Sequence, residues 1–379
     1  MTLPRDDASG SVFALITGGG TGGHVYPALA VADELVGRGH DRASLRFVGS
    51  ERGLEATAVP EAGYHIELLP GRGVRRSIRP SALVANVGAL IGLAVAFLRA
   101  LRIVSRPRPK VVFGVGGYAS AACVVAARLR RVPTIVHEQN AAPGLANRVA
   151  VRLGARAAVS LPETPLRDAV VTGNPVRPAI VGIEHAPETV RLVVIVGGSL
   201  GAVSINDAAV RLFDLWRARC DVVVRHVTGR RDFERCRDAL AVSRDAGDRL
   251  EYELLAYDDD MARAYARASL FVCRAGAVTC AELTVTGTPS ILVPLPGAPA
   301  DHQVRNAEAL ARAGAAVVVA DGELDGARLA LDLEQLLADP ARLGSMRSAA
   351  RALGRPDAAA RVADLVERVA GTRPSEDTP

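Results

Sequence analysis

Short apolar runs rich in Val, Leu, Ile and Ala recur along the chain. Each is closed by glycine or polar residues and followed by a longer stretch whose apolar positions return at helical spacing. In the first half these runs predict strands at 12–17, 44–49, 65–69, 111–114, 133–137, 156–159 and 169–172. In the second half they predict strands at 191–196, 221–227, 251–255, 269–273, 289–293 and 315–319. Near-continuous alternation of strand and helix is the pattern of a parallel sheet wrapped by helices, so each half is expected to be a doubly wound α/β domain. The halves meet at Thr172-Gly173-Asn174-Pro175-Val176-Arg177-Pro178, where two prolines and a glycine stop any helix. A last helical period covers 356–370, and Gly371 to Pro379 has the composition of a frayed end.

Two glycine-rich turns stand where an apolar run feeds a helix. Gly18-Gly19-Gly20-Thr21-Gly22-Gly23-His24 follows the run at 12–17, and Gly197-Gly198-Ser199-Leu200-Gly201-Ala202 follows that at 191–196. A turn without side chains lets backbone N–H groups and the positive end of the helix dipole approach an anion, usually a phosphate. One such turn in each half implies two nucleotide-type domains facing one cleft. The first turn satisfies G-x-G-x-x-G through Gly18, Gly20 and Gly23, but the acidic residue that a dinucleotide site places about 20 positions on is poorly met by Glu51. A P-loop is excluded, because the chain contains no Gly-Lys pair.

Composition narrows the class without naming it. At 379 residues the chain exceeds what one core normally supports, and 49% hydrophobic with 23% charged residues is a folded composition. Lys110 is the one lysine among 46 basic residues, a coding bias towards Arg, so the net charge of +5 is weak ground for nucleic-acid binding. Cys123, Cys220, Cys236, Cys273 and Cys280 are odd in number and lack metal-ligand spacing, which reads as buried thiols in a reducing compartment. No metal and no cofactor is expected. Met1 to Gly10 carries Asp6 and Asp7 and no apolar run, so no secretory signal is expected.

Several segments carry candidate chemistry, each beside a structural alternative. His24 follows the first glycines directly, where an imidazole could accept a proton from an attacking hydroxyl or serve only to cap and pack the helix. In the stretch Cys273 to Glu282, Thr279 and Glu282 have capping-box spacing; the other reading gives the carboxylate to ribose hydroxyls. Asp301-His302-Gln303 with Asn306 opens a helix after a proline-rich loop, as a sugar-binding turn or as an N-cap at Asp301. His137-Glu138-Gln139-Asn140 ends a strand, where polar side chains face the ligand crevice of such sheets. The segment Leu83 to Leu98 has Asn86 as its sole polar side chain and is flanked by Arg72, Arg75, Arg76 and Arg79 before it and Arg99, Arg102, Arg106, Arg108 and Lys110 after it. It is shorter than the roughly 20 residues that cross a bilayer, which leaves a buried helix or a helix laying an apolar edge into anionic lipid.

The motifs GGGTGGHVYPALAVADEL, FVGSERGLEA, GVGGYASAA, VHEQNAAPGLANR, GNPVR, VIVGGSLGA, DDMARAYARASLFVCRAGAVTCAEL and DHQVRNAEAL occur in this order. Together they resemble the MurG-type lipid II synthases, across roughly residues 12 to 320. The resemblance implies a GT-B fold of two Rossmann-like domains facing a central cleft. It implies transfer of N-acetylglucosamine from UDP-N-acetylglucosamine, with inversion, to the 4-hydroxyl of the muramoyl-pentapeptide of lipid I. It further implies residues 1–176 as an acceptor and membrane-associating domain, with a helix at about 355–371 packing back on it. Residues 177–354 become the UDP-sugar domain, and the expected location is the cytoplasmic face of the membrane, peripherally bound, with an anionic membrane surface as partner and no nucleic acid.

Carried over by position, Thr21, Gly22, Gly23, Asn140, Arg177, Ser199, Asp258, Gln303 and the run Ala277, Val278, Thr279, Cys280, Ala281 and Glu282 are implied donor-site residues. His24 is the implied base, and Tyr118 and Glu138 are further acceptor-side candidates. Three positions depart from the family pattern: Asp258 where an isoleucine is common, Ala275 for a serine, and His302 for a second glutamine. Rival readings are a nicotinamide-dependent oxidoreductase, a membrane-surface binder without activity, and a related glycosyltransferase acting on an antibiotic or glycolipid.

Overall fold

The structure is a computed structural model that describes residues 11–70, 80–106, 108–184, 190–198 and 201–372, with side chains described throughout except at 80–91 and 93. The chain forms two compact units. The first takes the described residues up to Gln139, Pro143–Pro175 and those from Asp357 onward; the second takes Asn140–Ala142 and Val176–Pro356.

The strands of the first unit are β1 (Ala14–Thr17), β2 (Leu45–Ser50), β3 (His65–Leu69), β4 (Val111–Gly114), β5 (Thr134–Glu138), β6 (Arg156–Val159) and β7 (Val170–Val171). Those of the second are β8 (Arg191–Val196), β9 (Val222–Val227), β10 (Glu251–Leu255), β11 (Ala268–Cys273), β12 (Ser290–Leu292) and β13 (Ala316–Val318). The helices in chain order are α1 (Gly22–Gly37), α2 (Glu55–Glu61), α3 (Pro80–Ser105), α4 (Gly117–Leu129), α5 (Leu145–Arg152), α6 (Val203–Trp216) and α7 (Phe233–Ser243). They continue as α8 (Met261–Arg267), α9 (Ala277–Thr286), α10 (His302–Arg312), α11 (Gly326–Leu337), α12 (Pro340–Leu353) and α13 (Ala358–Val369). Every expected strand is present with ends moved by at most two residues, because runs buried on both faces of a parallel sheet are continuously apolar and easy to see. The run at 169–172 keeps only Val170 and Val171 as strand, at the sheet edge, since Thr172 already turns its hydroxyl to the Gly173 carbonyl.

The sheet orders are β3-β2-β1-β4-β5-β6-β7 and β10-β9-β8-β11-β12-β13, and every pairing is parallel. In each unit the order reverses beside the first strand, between β1 and β4 in one and between β8 and β11 in the other. A doubly wound sheet opens a crevice at such a point, outside the carboxyl ends of the strands. Both glycine turns leave those ends.

Helix α13 belongs to the first unit, where Val362, Ala363 and Val366 join Val31, Ala32 and Leu35 of α1 in one core. At the rim of this contact Arg38 reaches Asp364 at 2.6 Å, Glu367 at 2.9 Å and the Ala360 carbonyl at 2.9 Å, and His40 bonds Glu367 at 2.9 Å. One guanidinium thus ties the end of α1 to the last helix of the chain. The described part of α3 buries Ala96, Ala100 and Val104 at helical spacing. Val95 and Leu98 lie exposed, next to exposed Arg99, Arg102 and Arg106. Among the described residues no helix is long and apolar enough to cross a membrane.

Arg38→Ala should lower unfolding free energy by about 1–3 kcal/mol, as loss of a partly buried, charge-assisted contact does. Urea unfolding checks this, and proteolysis should release the α13 segment first.

Candidate active site

The first glycine turn is held from below. Glu55, at the start of α2 and 2% exposed, accepts the Gly20 N–H through Oε2 at 2.7 Å and the Ser50 N–H through Oε1 at 2.8 Å. At Gly19 a Cβ would stand 2.0 Å from that carboxylate, so the turn can close over it only without a side chain. Sequence reasoning looked for an acidic ribose ligand near Glu51 and missed this one. Glu55 faces the turn as a brace, and the available signal was its place two residues after Gly53, at the first position of the helix it opens.

Thr21 sits at the N-cap of α1 without a side-chain cap bond, and Gly22 and Gly23 form the first turn, whose leading amides have no intrahelical acceptor. His24 is half-buried with Nδ1 2.9 Å from the Gly19 carbonyl. A carbonyl only accepts, so Nδ1 carries the hydrogen and the neutral ring keeps its lone pair at Nε2. The bond to Gly19 therefore fixes the ring and leaves Nε2 as its accepting nitrogen.

Two acceptor-side candidates are engaged in holding the scaffold. Glu138, 3% exposed, accepts from the Gly144 N–H and from Asn147 Nδ2, both at 2.9 Å, which closes the loop after β5. The Tyr118 hydroxyl stands 3.0 Å from the Gly92 carbonyl and 3.2 Å from that of Pro70, tying α4 to α3, and burial pushes its pKa up. His137 is fully buried; its Nε2–H donates to the Gly173 carbonyl at 2.9 Å, and Nδ1 accepts from Gln139 at 3.2 Å. Burial pushes His137 down to about 4 against the opposing pull of the Gly173 carbonyl and Glu138.

In the second unit a buried polar side chain stands beside the described part of the glycine turn, where a Cβ at Gly197 would lie 3.1 Å from Asn206 Oδ1. Asn206 of α6 donates to the Thr228 carbonyl and to Asp232, each at 3.0 Å, and accepts from His226 Nε2 at 3.0 Å. Gly229 then crosses the turn so closely that a Cβ would stand 2.4 Å from Gly201 N. Burial pushes His226 to about 3, so it is neutral in the fold. Arg274, after β11, donates to the carbonyls of Val293 and Pro294, to Ser204 and to Asp321, joining the β11 and β12 ends to the start of α6. Ser199 lies outside the described residues, as do Arg72, Arg75, Arg76 and Arg79.

The run Ala277 to Glu282 forms the first turns of α9, entered from Gly276 with no side-chain cap. This overturns the capping-box alternative: Thr279 is already inside the helix, so it is not an N-cap. Glu282 instead faces inward, 5% exposed, accepting from Arg177 at 2.8 Å and from the Tyr265 hydroxyl at 3.0 Å. Asp301 occupies the N-cap position of α10 but makes no side-chain cap bond. Gln303 accepts the Leu295 N–H at 3.0 Å. Asn140 accepts from Asn306 at 3.2 Å, while Asn306 also accepts from Ala141 N–H and donates to the Ala275 carbonyl, which fixes 140–142 in the second unit. Asp258 is 6% exposed, bonded to Arg225 at 2.8 Å and to the Asp260 N–H at 3.0 Å, and the Asp260 side chain caps α8.

Residues 14–159 match the glycosyltransferase family 28 N-terminal domain and 192–367 the family 28 C-terminal domain. The chain is a glycosyltransferase of the GT-B fold. More narrowly, it belongs to the family of UDP-N-acetylglucosamine–N-acetylmuramyl-(pentapeptide) pyrophosphoryl-undecaprenol N-acetylglucosamine transferases. The protein of that name from Nitratidesulfovibrio vulgaris is 44% identical over 95% of this chain and 98% of its own length. That from Alkalilimnicola ehrlichii is 45% identical over 93% and 97%. The solved structure of Acinetobacter baumannii MurG is 30% identical with a TM-score of 0.75, covering 94% of this chain and 99% of that one. A calicheamicin glycosyltransferase, 18% identical at TM-score 0.65 over 97% of this chain and all of the other, shares the fold.

The buried histidines make stability depend on pH. From pH 6.5 down to about 4 the unfolded chain binds a proton at His137 that the folded chain refuses, so stability is complete above that window and falls as pH drops through it. His226 extends the loss towards about 3. Urea midpoints across this range should fall with pH, and His137→Asn should flatten the upper part of the slope.

Proposed function

We propose that this chain catalyses transfer of N-acetylglucosamine from UDP-N-acetylglucosamine to the muramyl-pentapeptide carried on pyrophosphoryl-undecaprenol, the lipid I to lipid II step of peptidoglycan synthesis. The observation that carries the assignment is identity of 44–45% with enzymes of that name across nearly the whole length of both proteins. The chain is accordingly a hexosyltransferase, and the oxidoreductase and inert-binder readings fall away.

In the proposed step the acceptor's 4-hydroxyl gives its proton to His24 Nε2 while its oxygen attacks the anomeric carbon of the donor. The new glycosidic C–O bond forms as the bond to the β-phosphate breaks, and UDP leaves with the electron pair, inverting the anomeric centre. Charge on the leaving diphosphate is taken by backbone amides at helix starts and by Arg177, a stabilisation that acts where charge develops. Thr21, Gly22 and Gly23, with Asn140, the start of α9 and Gln303, line the donor in this reading. Glu282 takes the ribose hydroxyls, and Asp258 is assigned to uracil through its backbone, its carboxylate being committed to Arg225. Before donor arrives Glu282 is paired with Arg177, so both groups are already aimed and binding exchanges one partner for another.

Tyr118 and Glu138 are assigned to shaping the acceptor side through the loops they hold. The second unit is assigned as the UDP-sugar domain and the first as the acceptor domain. Its exposed Val95 and Leu98, with Arg99, Arg102 and Arg106 beside them, support contact with an anionic membrane surface at the cytoplasmic face, where a polyprenyl-linked acceptor is met.

His24→Ala should cut kcat by about 10²–10⁴-fold, the usual worth of a general base, with little change in UDP-N-acetylglucosamine affinity. Glu282→Gln should do the reverse, weakening donor binding roughly tenfold or more. Transfer to a short-chain lipid I analogue, followed by product mass, together with calorimetric UDP titration, separates the two effects. Equal loss of both parameters in His24→Ala would count against the base.

A further inference from the structure

Glu55 and His24 bond to opposite sides of one peptide group. The peptide joining Gly19 to Gly20 presents its N–H to Glu55 Oε2 at 2.7 Å and its carbonyl to His24 Nδ1 at 2.9 Å. From these contacts we propose that Glu55 is a positioning residue that acts on His24 through the Gly19–Gly20 peptide, holding the ring in its Nδ1–H tautomer and stabilising the imidazolium formed when Nε2 takes a proton. The proposal rests on the reading of His24 as the base.

The line of dipoles runs in one sense. A carboxylate at the N–H end polarises the peptide and makes its carbonyl a stronger acceptor, since hydrogen bonds in series reinforce one another and charge-assisted ones are the strong members. Positive charge arriving on the imidazole is stabilised by that carbonyl and, one peptide plane away, by the carboxylate. A carboxylate bonded directly to histidine does the same work in hydrolytic triads. The glycines follow from this geometry. A Cβ at Gly53 would lie 2.0 Å from Glu55 Oε2, one at Gly49 would lie 2.3 Å from its Cγ, and one at Gly117 would lie 2.7 Å from the Gly19 carbonyl. Backbone therefore closes on both ends of the relay, and the bond from Ser50 N–H fixes the second carboxylate oxygen. A buried carboxylate is costly unless its oxygens are satisfied, and here both are satisfied by backbone donors.

The test reads the tautomer and the kinetics together, in the full-length enzyme labelled with ¹⁵N-histidine. In the parent, long-range ¹H–¹⁵N spectra should show His24, assigned by its loss in His24→Ala, protonated at Nδ1; a parent ring protonated at Nε2 overturns the proposal without any further variant. Glu55→Gln, which cannot accept from both N–H groups, should give a mixture of tautomers and a kcat about 10–100-fold lower, with KM for UDP-N-acetylglucosamine changed less than about twofold. Gly53→Ala, which displaces the carboxylate without altering it, should act in the same direction and serves where Glu55→Gln does not fold. If His24→Ala is inactive while a folded Glu55→Gln or Gly53→Ala keeps the parent tautomer and kcat, the relay is wrong and the base assignment stands. Should His24→Ala retain full turnover, the base assignment fails and the relay fails with it.

Discussion

A glycine turn at the carboxyl edge of a parallel sheet can approach an anion closely because it has no side chains, and for the same reason it cannot hold its own shape. Every glycine costs backbone entropy on folding, so a run of them needs polar support from beneath. The first unit supplies it from a buried side chain on a neighbouring element, Glu55 at the start of α2; in the second, Asn206 of α6 bonds the Thr228 carbonyl and Asp232, beside the point where Gly229 closes on Gly201. Each of these side chains satisfies backbone or side-chain partners that would otherwise lie unpaired in a dry interior, where an unmade hydrogen bond costs more than a made one contributes.

The same economy governs the charged groups around the residues proposed to hold the donor. Arg177 and Glu282 are paired, and Tyr265 donates to the second oxygen of the carboxylate. An ion pair this buried is weak evidence for stability, since desolvation offsets its attraction. Its effect is positional: the bonds from Arg177 and Tyr265 hold both oxygens of the Glu282 carboxylate. His137 and His226 show the complementary choice. Each is buried neutral in a chain of hydrogen bonds.

How far the site could be read from the chain depended on whether a residue's partners are near it in sequence. His24 was legible because it follows its own glycine turn and bonds back to Gly19. Glu282 was ambiguous, because capping-box spacing gave it a local explanation that the helix start at Ala277 removes. Glu55 was illegible as a brace: Gly20 is far from it along the chain, and only the pairing of β1 with β2 brings the turn after one strand beside the helix after the other. Glu138 and Tyr118 were acceptor-side candidates only through the family resemblance. Their carboxylate and hydroxyl bond to Gly144 and to Gly92 of α3, partners that no periodicity marks.

The sequence alone determined the two doubly wound sheets, their strands and the placing of a glycine turn after the first strand of each. These depend on short-range patterning and on the backbone freedom of glycine, which are properties of consecutive residues. It also pointed to the family, through the order of its motifs. Tertiary structure alone decided which carboxylate lies under the first turn, that Arg177 and Glu282 meet, and that 140–142 pack with the second unit. Each of those facts is a hydrogen bond between groups distant in the chain, and such a bond exists only once the sheet order has set which ends lie side by side.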